Sequence, residues 1–290
     1  MAVVALVVHH ERPEAAETAR RAAAWLTERG HEVRCPAADA SIVGLEAHAV
    51  ADEAIAPGLD LAASLGGDGT ILRTVDMVST EGVPVLGVHF GQLGYLTEVE
   101  PEDLERALAR FLAGDHDVEE RMLLQVRVEA KDWPAGHPGV PAAPLALNEA
   151  VLEKTPSGHT VRLEVWINGR FFTTYATDGL IVATPTGSTA YAFSARGPIV
   201  APTHRSLQLT PVSPHMLFDR TLVLNPDDEI RLVVCGHRPA TLSVDGRNLG
   251  ELVADDAIVC TGSPYSAHMV TFGERDFHAI LKAKFGLEDR

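Results

Sequence analysis

The chain has 290 residues, 46% of them hydrophobic, enough for two packed domains and too apolar for wholesale disorder. Its formal charge of −16, from 40 acidic and 24 basic side chains, disfavours nucleic-acid binding, which needs a basic face. Cys35, Cys235 and Cys260 are far apart with no C-x-x-C pair, which fits small buried apolar residues better than zinc ligands or disulfides.

The start, MAVVALVVHHERPE, is apolar for only eight residues and lacks a basic segment, so it predicts a first strand rather than a signal peptide. No run of about 18 apolar residues follows. A soluble, cytoplasmic protein with no membrane partner is expected.

Val3 to Val8 is a continuous apolar run, the pattern of a strand covered on both faces. Pro13 to Arg29 carries helix formers and closes at Gly30. Val33 to Cys35, Leu59 to Leu65 and Val83 to Val88 predict further strands, with a helix over Thr70 to Thr80. Pro101 to Leu112 predicts another, spaced by Leu104, Leu108 and Leu112. This alternation implies an α/β domain, a parallel sheet with flanking helices, over residues 1–114.

The texture changes near Asp115. Strand-like runs follow at Leu123 to Val128, Leu145 to Leu152, Val161 to Ile167, Phe171 to Tyr175 and Leu180 to Ala183. Asn168-Gly169 is a hairpin signal, and Trp133 to Pro144, rich in proline, predicts an exposed excursion. Strands resume at Leu207 to Leu209, Leu222 to Leu224, Ile230 to Val234, Thr241 to Val244 and Ala257 to Cys260. An all-β domain over 115–272 is therefore expected. A helix over Arg275 to Phe285, in a last segment of residues 273–290, is expected to pack back on the first domain.

Two motifs carry chemistry. LAASLGGDGTILRTV places a glycine-rich turn between a strand and a helix, where free amides and the helix dipole can hold phosphate oxygens. Gly66, Gly67, Gly69 and Thr70 form this phosphate loop. Asp68 is out of place beside phosphate unless it faces a hydroxyl to be deprotonated or a metal carrying the phosphates. Arg73, placed in the first helical turn, can neutralise a phosphate. The spacing fits neither G-x-G-x-x-G nor G-x-x-x-x-G-K-[ST], and the loop after the first strand contains no glycine. The second motif, DGLIVATPTGSTAYAFS from Asp178 to Ser194, breaks a strand into a turn crowded with hydroxyls and amides, followed by an aromatic ring at Tyr191.

GGDGT resembles the phosphate-binding loop shared by NAD kinases, diacylglycerol and sphingosine kinases and, in related form, phosphofructokinases. The second motif resembles the DGL-x-x-(S/A)TPTGSTAY signature of NAD kinases, which the lipid kinases and phosphofructokinases lack. Leu147-Asn148-Glu149 matches that family's Asn-Glu dipeptide. Gly87 to Leu96 resembles its G-x-N-x-G-x-LGFL segment, with His89 in place of Asn and Tyr95 in place of Phe, and the resemblance extends to Ser243 to Gly246.

The resemblance implies transfer of the terminal phosphoryl group of ATP, with polyphosphate left open as a donor, to the 2'-hydroxyl of the adenosine ribose of NAD. It implies Asp68 as general base and Mg²⁺, or another divalent cation, with ATP. NAD contacts are implied for Asp68, Gly69, Arg73, Asn148, Glu149, His159, Asp178, Thr189, Ala190, Tyr191, Ala192, Phe193 and Ser194, and no residue is assigned as a protein metal ligand. A homodimer or homotetramer is implied as well. Two rivals compete: a lipid kinase, which leaves TPTGSTAY unexplained, and a silent NAD(P) sensor, which has no need of the Asp68 carboxylate.

Overall fold

The computed structural model describes residues 1–91, 94–131, 133, 143–155, 159–273 and 276–287. The chain divides into two compact units, Met1–Glu120 with Ser266–Arg290, and Arg121–Tyr265. Most of the Trp133 to Pro144 excursion and the start of the expected terminal helix lie outside the described residues.

The first unit is built from β1 (Val3–Val8), α1 (Pro13–Glu28), β2 (Glu32–Pro36), α2 (Ala37–Val43), β3 (Ala49–Val50), β4 (Leu61–Leu65), α3 (Asp68–Val78), β5 (Pro84–Val88) and α4 (Leu104–Leu112). Its strands are parallel in the order β5-β4-β1-β2-β3. Val4 to Val8 and Leu61 to Leu65 are buried throughout, as a sheet covered on both faces requires. Leu26 of α1 and Leu104 and Leu108 of α4 join these strands in one core.

The second unit follows with β6 (Asp117–Glu129, begun in the first unit), β7 (Leu145–Ala146), β8 (Glu149–Lys154), β9 (Val161–Ile167), β10 (Arg170–Thr177), β11 (Gly179–Ala183), the single turn α5 (Tyr191–Ser194), β12 (Leu207–Val212), β13 (Leu222–Leu224), β14 (Ile230–Cys235), β15 (Ala240–Val244) and β16 (Arg247–Leu252). One antiparallel sheet runs β13-β12-β11-β8-β15-β16, and β10, β9 and β14 pair antiparallel elsewhere in the unit. Alternate residues of both sets, among them Leu152, Leu163, Val182, Leu209, Leu232 and Leu242, meet in one core. Asn168 and Gly169 turn the β9–β10 hairpin with φ of 51° and 73°, the left-handed pair such a tight turn needs.

The chain closes with β17 (Ala257–Thr271) and α6 (Phe277–Phe285). The first residues of β17 pair with β14 in the second unit, and its last lie parallel to β5 in the first, His268 beside Pro84. Asp276 caps α6, accepting from the amides of His278 and Ala279 at 2.9 and 3.1 Å. Lys284 of α6 lies 5.3 Å from the Tyr95 ring centroid, so this helix belongs with the first unit.

Several elements differ from the sequence expectation. Helix α3 begins at Asp68 instead of Thr70, because Gly67 is extended (φ −95°, ψ −171°) and acts as its cap. The run from Leu145 to Leu152 splits into β7 and β8, since the intervening amides turn to a side chain instead of a neighbouring strand. Helix α2 and strand β16 were not expected, and β17 runs eleven residues beyond Cys260.

Cys35 and Cys260 are buried, as expected of small apolar residues, and Cys235 is half-buried. Among the described residues no helix is long and apolar enough to cross a membrane.

Leu65 is fully buried in the last position of β4, directly before the glycine turn. Leu65→Ala is expected to cost about 2–5 kcal/mol of unfolding free energy, read as a lower urea midpoint at unchanged m-value.

Candidate active site

In the first unit, β4 ends in the Gly66-Gly67 turn and α3 starts at Asp68. The amide of Gly66 donates to Val88 O and that of Thr70 to Gly67 O, which ties the turn to β5 and to the helix start. Gly67 has no side chain to cap α3, so the Asp68 and Gly69 amides stand at the positive end of the helix dipole. Beside them lies a cleft of about 460 Å³ lined by Gly67, Gly69, Thr70 and Arg73 and by Val8 to Arg12.

Asp68 is half-buried, and its Oδ1 is shielded from solvent without a hydrogen-bond partner. A Cβ on Gly94 would stand 2.4 Å from that oxygen, so only glycine lets the loop after β5 approach the carboxylate this closely. Burial, and after it the Asp68 charge, pushes up the Tyr95 hydroxyl.

Arg73 lies one turn further into α3 than expected, five residues past Asp68, and its guanidinium, one-third exposed, is paired with a buried carboxylate. Nη1 and Nη2 donate to the two oxygens of Asp39 at 2.8 and 2.5 Å, and Nη2 also donates to Val8 O at 2.9 Å. Arg73 still lines the cleft, but Asp39 offsets its charge.

In the second unit the two expected segments are locked together. The Thr184 hydroxyl donates to Leu147 O at 2.5 Å, its amide donates to Asn148 O at 2.9 Å, and the Gly187 amide returns to the Thr184 hydroxyl at 3.2 Å. A Cβ at Gly187 would stand 2.2 Å from Asn148 O, so the Thr-Gly-Ser-Thr turn rests directly on the Asn-Glu backbone. Asp245 completes the lock: its carboxylate accepts from the amides of Leu147, Asn148 and Glu149 at 2.7, 2.8 and 3.0 Å. Its own amide donates to Glu149 O.

Glu149 is buried, and its Oε2 has no hydrogen-bond partner. Burial, reinforced by Asp245 and partly offset by the Tyr191 amide, pushes its carboxyl up to about 8. The Tyr191 hydroxyl is raised by burial and then by Glu153, Asp178 and Glu149, which brings Tyr191 and Asp178 into the same neighbourhood. Asp178 is itself paired with Lys154 Nζ at 2.7 Å. Ala192 is buried against Ile181 and Ala183, while Tyr191, Phe193 and Ser194 are exposed and Thr189 and Ala190 half-buried. His159 is exposed, two residues before β9.

The sequence reading assigned no role to Asp39, His10, Thr184 or Asp245. Thr184 and Asp245 lie inside quoted motifs, so motif position was their available signal. Asp39, in an Ala-rich stretch, offered none.

A glycine-rich strand-to-helix turn at an open cleft, in an α/β unit followed by an antiparallel β unit, fits a phosphotransferase architecture. Residues 4–116 match the family model of the ATP-NAD kinase N-terminal domain and residues 147–272 that of its C-terminal domain. An NAD kinase of Heliobacterium modesticaldum is 39% identical over 288 residues, 98% of each chain, and one of Moorella thermoacetica is 37% identical over 97% of this chain and 88% of its own. Among solved structures, yeast NADH kinase complexed with NADH superposes with a TM-score of 0.88 at 25% identity, covering 100% of this chain and 89% of that one. An NAD kinase from Archaeoglobus fulgidus in complex with ATP gives 0.72 at 25% identity, covering 98% of each. The chain belongs to the ATP-NAD kinase family.

The raised Glu149 carboxyl has a consequence for stability. The folded protein keeps a proton that the unfolded chain releases near 4.5, so stability falls as pH rises from there through about 8. Glu149→Gln is expected to flatten this decline, with urea midpoints above wild type at pH 8.5 and close to it at pH 4. Gly187→Ala, by displacing Asn148, is expected to weaken NAD binding at least about tenfold, equivalent to about 1.4 kcal/mol, in a titration followed by calorimetry.

Proposed function

We propose that this chain transfers the terminal phosphoryl group of ATP to the 2'-hydroxyl of the adenosine ribose of NAD, giving NADP. The observation that carries the reading is the Asp68 carboxylate, with a shielded, unpartnered oxygen at the head of α3 beside the glycine turn. An alcohol is a weak nucleophile at neutral pH, and a carboxylate within reach accepts its proton as the new bond forms. The ribose oxygen bonds to the terminal phosphorus, the bond from that phosphorus to its bridging oxygen breaks, and ADP leaves while Asp68 takes the proton. The amides of Gly67, Asp68 and Gly69 hold phosphate oxygens, and positioning with charge neutralisation supplies most of the rate.

Asn148 and Glu149 hydrogen-bond NAD, the first as donor and acceptor, the second through its unpartnered Oε2. Asp178 and the segment Thr189, Ala190, Tyr191, Ala192, Phe193 and Ser194 complete the NAD contacts, with the Tyr191 ring against a planar group of the ligand. His159 stays an NAD contact on resemblance alone. Mg²⁺ would arrive with the donor substrate and would offset phosphate charge that this acidic chain offsets poorly; the Asp68 oxygen without a partner among the described residues would suit a cation-bearing donor. Polyphosphate stands as an alternative donor, the cytoplasm as the compartment, and a homodimer or homotetramer as the assembly. Exposed Phe171 and Phe172 on β10, with Phe218 edge-on to Phe172, support self-association.

Purified protein with NAD, ATP and Mg²⁺ is expected to form NADP, detected with an NADP-specific dehydrogenase. Asp68→Asn, folded to the same melting temperature, is expected to lose about two to four orders of magnitude in kcat. Absence of NADP with any phosphoryl donor, despite measurable NAD binding, would leave only a nucleotide sensor.

A further inference from the structure

Asp39 is fully buried at the start of α2, and its carboxylate has four donors around it. Arg73 gives two, at 2.8 and 2.5 Å, His10 Nε2 stands 2.7 Å from Oδ1, and the Val8 amide donates to Oδ2 at 2.8 Å. Val8, His10 and Arg73 all line the cleft that faces Gly67, Gly69 and Thr70, whereas Asp39 does not reach it. The anchor is sealed from solvent, while the His10 and Arg73 side chains remain 41% and 34% exposed.

An unpaired buried carboxylate is costly. Here burial opposes ionisation, yet the hydrogen bonds from Arg73, His10 and Val8 hold the Asp39 carboxyl below its usual range. An ionised carboxylate only accepts, so Asp39 fixes the hydrogen of His10 on Nε2 and leaves Nδ1 as the ring's second polar atom. It also sets the plane of the Arg73 guanidinium through a two-pronged contact. A lone arginine there would sample many rotamers, and the His9 to Arg12 loop would lose one of its ties, the others being His9 N to Leu65 O and Arg12 to Phe90 O.

We propose that Asp39 is a positioning residue for the phosphoryl donor, holding Arg73 and His10 on the cleft wall as contacts for the polyphosphate chain opposite the Gly67–Thr70 turn. It acts through those two side chains and touches no reacting atom. This rests on the kinase reading above, in which the cleft receives the donor. The ligand class is a linear polyphosphate, either the tail of a nucleoside triphosphate or inorganic polyphosphate.

The test is binding of inorganic tripolyphosphate with Mg²⁺ by calorimetry, without NAD, beside KM for ATP and for NAD. Asp39→Asn, which turns an amide N–H₂ toward donors, is expected to weaken tripolyphosphate binding about tenfold and raise KM for ATP equally, one lost charge-assisted contact. KM for NAD should stay within about twofold, and Asp39→Glu should recover part of the loss. His10→Gln, at an exposed position, supplies the same reading if Asp39→Asn fails to fold, with an expected loss of about threefold to tenfold. Tripolyphosphate binding unchanged in folded Asp39→Asn, or in His10→Gln if that variant alone folds, overturns the proposal. So does an equal rise in KM for both substrates. Wild-type protein that forms no NADP yet binds tripolyphosphate in an Asp39-dependent way would overturn the kinase reading and the donor role with it, and leave Asp39 as a positioning residue for a bound polyphosphate.

Discussion

A carboxylate removed from water must find donors or keep its proton, and this fold uses both outcomes. Asp39 is surrounded by donors, stays ionised and fixes the groups around it. Asp245 gathers three successive amides and so sets the path of the chain between β7 and β8. Glu149, on that path, is buried without enough donors and holds its proton into the neutral range. The first two carboxylates build the scaffold; the third is left reactive toward a ligand by the second.

A chain of net charge −16 cannot attract a polyanion by its overall field. The first unit offers local devices instead: amides at the head of α3, and the Arg73 and His10 side chains held by the Asp39 carboxylate behind them. The second unit uses another strategy, in which strand ends and one short polar turn are pressed into contact until a single added methyl group at Gly187 would not fit.

The α/β-then-β order was legible because continuous apolar runs in the first third give way to alternating ones, and that contrast needs no tertiary information. The strand–turn–helix at Gly66 and the hairpin at Asn168-Gly169 were legible for the same local reason. β16 was not, since Asn248, Gly250 and Glu251 are poor strand formers held by pairing with β15. The far half of β17 is polar enough to read as loop, and its extended form comes from neighbours distant in sequence. Of the candidate site, Asn148, Glu149 and Asp178 were singled out by motif, while the roles of Asp245 and Lys154, which hold them, were not readable. Arg73 shows the limit most plainly: its proximity to the glycine turn was readable, and its commitment to Asp39, 34 positions away, was not.

The cysteines carry a separate consequence. Burial raises all three thiols, Cys35 and Cys260 to about 12, with the Asp39 charge adding to the effect at Cys35. Peroxides and disulfides react with thiolates, and almost no thiolate forms here near neutral pH. Cys35 also sits on β2 four residues before Asp39, so an oxidised sulfur there would press on the segment that carries the Asp39–Arg73 pair. Burial thereby keeps that sulfur in the form that oxidants attack least.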